Sequence, residues 1–138
     1  MLNLIEGNFL KNKHQYVLVD TNIWIEFFKK NSPISDNLEL LITKDLVKIC
    51  GVVLFEILQG IKSDAEKLKV QEILLNLPYI EMNANTWQKS AYISSSLKHN
   101  GYTIPFSDIL IGALAIENDL TVFTLDKHFK LISRVKIL

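Results

Sequence analysis

The chain has 138 residues, 49% hydrophobic and 22% charged, which is the size and composition of one globular domain and excludes a disordered chain. Its 15 basic and 15 acidic side chains balance, so no strongly basic nucleic-acid-binding surface is advertised; acids gathered at one place would still leave the remaining surface net positive. One cysteine, Cys50, excludes an internal disulfide, and no stretch approaches the ~20 apolar residues of a membrane span, so a cytoplasmic protein is expected.

Residues 1–15 read as an N-terminal extension and lack the basic start and apolar middle of a signal peptide; residues 16–138 read as the domain. Residues 16–20 predict a short buried strand. A helix follows from Asn22 to Lys30, with Ile23, Trp24, Phe27 and Phe28 at helical spacing, and Ser32-Pro33 is expected to break it. A second helix is expected over 36–43, a strand over 46–50, and a helix over 52–61 after a turn at Gly51. A further helix spans 64–77, and a third strand 79–82. Asn85 or Thr86 is expected to cap a long helix to His99, which Asn100-Gly101 ends. Pro105-Phe106-Ser107-Asp108 opens a helix to Asn118, capped by Ser107 or Asp108. Residues 121–125 form a fourth strand, 129–132 a helical turn and 134–138 an edge strand. Strands alternating with helices indicate an α/β domain with a mainly parallel sheet of four to five strands and helices on both faces.

Four carboxylates interrupt or close apolar runs: Asp20, Glu56, Asp108 and Asp126. An unpaired carboxylate in such surroundings is costly or takes up a proton, and four converging would repel one another. A divalent cation relieves both penalties, and oxygen-only ligands favour Mg²⁺ or Mn²⁺. Each acid also has a bland reading. Asp20 and Asp108 suit helix caps, Glu56 a surface side chain and Asp126 an Asx-turn. Their joint occurrence at one expected sheet edge favours the metal site, because ligands bind beyond the carboxyl ends of parallel strands. Thr124, two residues before Asp126, and Asn22 are candidates to orient a metal-held water or a phosphate oxygen. Lys29, Lys30, Lys127, His128 and Lys130 are candidate phosphate contacts, although each singly suits a solvated surface.

These segments resemble PIN-domain ribonucleases, specifically VapC-type toxins of toxin–antitoxin pairs. The resemblance rests on Val17-Leu-Val-Asp-Thr-Asn-Ile-Trp24, on Val52 to Gly60 around Glu56, on Pro105 to Ala113 around Asp108, and on Leu120 to Phe129 with its Thr-x-Asp-x-x-Phe pattern. It implies a PIN-like three-layer α/β/α sandwich and a Mg²⁺- or Mn²⁺-dependent endoribonuclease that hydrolyses RNA with metal-activated water. Asp20, Glu56, Asp108 and Asp126 would be its metal ligands. It also implies an antitoxin that occupies the site, and a homodimer. Residues 1–15 are extra relative to the family, His128 stands where many relatives carry another acid, and Gly51 replaces a frequent hydroxyl residue. A DNA- or structure-specific nuclease of the same fold, or a catalytically inactive PIN-like binding module, are the alternatives. A receiver-type phosphoacceptor fits poorly, since Asp20 is followed by Thr21-Asn22. An Asp-x-Asp phosphatase fails because position 22 is Asn.

Overall fold

A computed structural model describes residues 15–29 and 32–138. The expected extension, apart from Gln15, and the candidate phosphate contact Lys30 lie outside the described residues. The described chain runs β1 (Val17–Val19), α1 (Thr21–Lys29), α2 (Pro33–Thr43), β2 (Val47–Cys50), α3 (Gly51–Gln59), α4 (Asp64–Leu75), β3 (Tyr79–Ile80), α5 (Ala84–His99), α6 (Phe106–Glu117), β4 (Thr121–Phe123), a 3-10 turn (Lys127–Leu131) and β5 (Lys136–Ile137).

The strands form one five-stranded sheet in the order β3-β2-β1-β4-β5, and every pairing is parallel. Helices cover both faces, giving the three-layer α/β/α architecture. β1 is the central strand: Val17 pairs with Val47 on one side and Thr121 on the other. Val17, Leu18 and Val19 are fully buried, as strands covered on both faces require. Connections leave β1 toward β2 on one side and return to β4 on the other. The carboxyl ends of β1 and β4 therefore flank the crevice where the winding direction reverses, the usual ligand site of such sheets.

The strands are shorter than the apolar runs suggest: β1 stops at Val19 and β4 at Phe123, which leaves Asp20 and Thr124 just beyond them at the carboxyl edge. Asp20 still extends the β1–β4 pairing, donating its backbone N–H to the Phe123 carbonyl at 2.9 Å. Ser32-Pro33 does more than break a helix. The Ser32 hydroxyl accepts the Ser35 N–H at 3.2 Å and Pro33 opens α2, three residues earlier than expected. Proline suits that first position because its missing N–H would have no partner there. The cap of α5 is Asn83 rather than Asn85 or Thr86. Asn83 and Thr86 exchange hydrogen bonds in a capping box.

α6 carries the longest buried run, from Asp108 through Ala115. Gly112 lets it approach the end of the chain, since a Cβ there would lie 2.9 Å from Ile132 Cδ1. Trp24 is fully buried, stacked on Phe28 at 5.9 Å and edge-on to Phe27 at 5.7 Å, so α1 uses its aromatics as core. Among the described residues no helix is long and apolar enough to cross a membrane.

Candidate metal centre

Asp20 leaves β1 directly into α1. Its Oδ1 accepts the Thr21 N–H at 2.8 Å and its Oδ2 accepts the Thr124 hydroxyl at 2.7 Å. Thr124, at the end of β4, is itself fixed by the Asp126 N–H, 2.9 Å from its Oγ1. Asp126 Oδ1 accepts the His128 N–H at 2.9 Å and so starts the 3-10 turn. The Asx-turn and the site thus share one residue. On the other side of Asp20, the Thr21 hydroxyl donates to Glu56 Oε1 at 2.8 Å, tying α1 to α3. Two threonine hydroxyls therefore link Asp20 to Asp126 and Glu56 to α1.

Asp108 sits in the first turn of α6, but neither it nor Ser107 caps the helix. Pro105 precedes the first turn and no side chain caps it. The sequence expectation of a cap at either residue is overturned, and with it the bland account of Asp108. The side chain is only 8% exposed, and its Oδ2 has no hydrogen-bond partner. His128 Nδ1 lies 3.5 Å from Asp108 Oδ2 and 2.7 Å from Asp126 Oδ1. One ligand atom each from Asp108, Asp126 and His128 lie within 4.8 Å of one another.

Charge crowding is written into these carboxyls. Burial raises the Asp20 pKa most; the Thr124 hydroxyl and the Thr21 N–H lower it, and the Glu56 and Asp126 charges raise it further. The Asp108 carboxyl is pushed up to about 7, first by burial, then by Asp126 beside it and by the charges of Asp20 and Glu56. The donor set suits a divalent cation: carboxylate oxygens converge, two are held out of water, and one is buried without a partner.

The profile of the PIN domain family matches residues 17–135. The chain belongs to the PIN domain family. Ribonuclease VapC2 of Rickettsia felis is 29% identical over 119 residues, which cover 82% of this chain and 89% of that protein. The crystal structure of VapBC2 from Rickettsia felis, bound to a DNA fragment from their promoter, superposes with a TM-score of 0.78. The match is 26% identical and covers 90% of this chain and 98% of that one. A DNA-bound VapBC from Salmonella typhimurium gives a TM-score of 0.76 at 22% identity, over 90% of this chain and 97% of its own. The last shares the fold.

Within this PIN domain Asp108 and Asp126 come together with His128, Thr124 ties Asp20 to Asp126, and Thr21 ties Glu56 to α1; the charges of Asp20 and Glu56 both act on Asp108. Asn22 uses its side-chain oxygen to accept the Leu125 N–H at 3.3 Å, which holds the loop after β4 against α1. Thr21 is a site residue that the sequence pattern does not single out. Its one signal is its position beside Asp20, and its partner Glu56 lies 35 residues away. Glu56 is half-buried rather than enclosed, because its neighbour Phe55 turns outward, 66% exposed. Gly51 makes room for Tyr79: an added Cβ would lie 2.8 Å from the Tyr79 hydroxyl oxygen. Cys50 is buried and its thiol is pushed up to about 11 by burial, so it stays protonated and inert.

Proposed function

We propose that this PIN domain is a Mg²⁺- or Mn²⁺-dependent endoribonuclease and the toxin of a toxin–antitoxin pair. The observation that carries the reading is the buried, unpartnered Asp108 oxygen facing Asp126 beside Asp20, at the crevice between β1 and β4. The naming of the Rickettsia felis relative as a ribonuclease supports the substrate class. Asp20, Asp108, Asp126 and Glu56 would hold the ion. When bound, it polarises the phosphoryl group and makes water a stronger nucleophile.

The protein's own groups prepare that chemistry. Thr124 and Thr21 fix the rotamers of Asp20 and Glu56, so the carboxylates are oriented before an ion arrives. Asn22 holds the loop that carries Asp126. Lys127 and Lys130 are exposed beside the site and would contact RNA phosphates, adding affinity without base choice. A cleft of about 310 Å³ runs beside Glu56, lined by Ile25, Phe28, Ile57, Ile61 and Val70 together with the charged Lys29 and Glu66. An antitoxin segment with an apolar face would fit there and shut off Glu56, in keeping with the toxin–antitoxin complexes among the similar structures.

The test is cleavage of total cellular RNA by antitoxin-free protein with Mg²⁺, Mn²⁺ or EDTA, beside Asp20→Asn. The reading expects metal-dependent cutting that the variant loses. Cleavage of DNA alone would replace RNA as substrate. A folded protein that neither cuts nor binds metal would be a binding module.

A further inference from the structure

We infer that His128 is a nitrogen ligand to the divalent ion at Asp108 and Asp126, and that it tilts the site from Mg²⁺ toward first-row transition ions such as Mn²⁺. The inference rests on the metal-dependent reading above and assigns a role to a residue outside the four acids.

The geometry is that of a cation site rather than of a surface ion pair. His128 Nδ1 stands 2.7 Å from Asp126 Oδ1 and 3.5 Å from Asp108 Oδ2, so one ring nitrogen faces both carboxylates. A hydrogen bond is directional, and a single N–H satisfies one acceptor. Here it reaches Asp126 and leaves the Asp108 oxygen, more than nine-tenths buried, without a partner. A cation has no such direction and satisfies all three atoms together. Ligands of an octahedral ion at about 2.1 Å lie roughly 3 Å apart when adjacent and about 4.2 Å apart when opposed. The separations of 2.7 and 3.5 Å from the ring nitrogen already straddle the adjacent spacing, so an ion requires only small shifts of these atoms. The means of movement is present, because His128 is on a 3-10 turn at the surface with its side chain 47% exposed.

The Asp126 carboxylate is held in place for this. Asp126 Oδ1 already receives the His128 backbone N–H, which fixes the carboxylate against the turn that carries the imidazole. The two ligands therefore move as one unit. Replacing a carboxylate or water by an imidazole nitrogen changes the donor set from all-oxygen to mixed. Mg²⁺ gains little from nitrogen donors, whereas transition ions gain more.

The probe is Mn²⁺ alone, added to the purified full chain and read by pulsed electron paramagnetic resonance and by calorimetric titration. Wild type is expected to show a ¹⁴N hyperfine coupling of directly bound imidazole, and His128→Ala to lose it. In His128→Asp, Mn²⁺ is expected to bind without the nitrogen signal, and the preference for Mn²⁺ over Mg²⁺ to fall by about tenfold. Bound Mn²⁺ in the wild type without nitrogen coupling overturns the role of His128 while leaving the carboxylate site standing. So does a coupling that persists in His128→Ala, which would assign it to His14 or His99. Failure of the wild type to bind Mn²⁺ at all overturns both. The wild-type spectrum decides without any variant, so misfolding of a substituted chain does not blunt the test.

Discussion

Asp108 shows how a single residue links the site to the stability of the protein. Its carboxyl is pushed up to about 7, so the metal-free folded state holds that proton more tightly than the unfolded chain does. The stabilising contribution is complete below the unfolded carboxyl range, near ~4, and is lost as pH rises through about 7. Asp108→Asn removes the charge at nearly constant shape. In EDTA at pH 8 the variant is expected to be more stable than wild type by about 1–2 kcal/mol, and at pH 5 the gap should narrow. Thermal melts at the two pH values check this, and an equal gap at both would remove burial of charge as the cause. The acids were legible in the sequence because each interrupts or closes an apolar run, where a lone charge is costly and so stands out. Thr21 was not, since a hydroxyl after an Asp is commonplace at helix starts and its partner is distant in the chain. The facing of His128 toward two carboxylates needed the three-dimensional turn.

At the scale of elements, a buried threonine hydrogen-bonds α5 to α6. Thr86 takes part in the Asn83 capping box, and its hydroxyl also donates to Glu117 Oε2 on α6 at 2.7 Å. Thr86→Val keeps the branched shape and removes both roles. Urea unfolding should show a loss of about 1–2 kcal/mol. Glu117 is at the far end of α6 from Asp108, so Mn²⁺ affinity should stay within about twofold of wild type. A variant as stable as the parent would show that packing alone holds α5. The order and type of the elements were readable from apolar spacing, including β5 at the sheet edge. Their ends were less so, for physical reasons. Pro33 ends one helical run by its missing donor and opens the next for the same reason. Pro105 hid the true start of α6, which placed Asp108 inside the helix instead of at its cap.

Over the whole molecule, the sheet draws the four acids from four separate places: the end of β1, the middle of α3, the first turn of α6 and the exit of β4. No pair of them is close in sequence, so their repulsion is a cost of the complete fold and not of any fragment. An ion that relieves it should therefore stabilise the entire domain cooperatively. Ligand at about 100 times its Kd adds about 2.7 kcal/mol. The size of the effect should depend on pH, because binding at Asp108 must displace the proton held up to about 7. Saturation is therefore reached at lower Mn²⁺ at pH 8 than at pH 6, and at fixed Mn²⁺ the rise in melting temperature should be larger at pH 8. Asp20→Asn, which removes another charge from the cluster, should flatten the rise at both pH values. Melting curves at fixed Mn²⁺, with and without EDTA, measure all four conditions. A rise independent of pH would mean that Asp108 stays outside the coordination sphere, and a rise unchanged in Asp20→Asn would place the ion elsewhere on the protein.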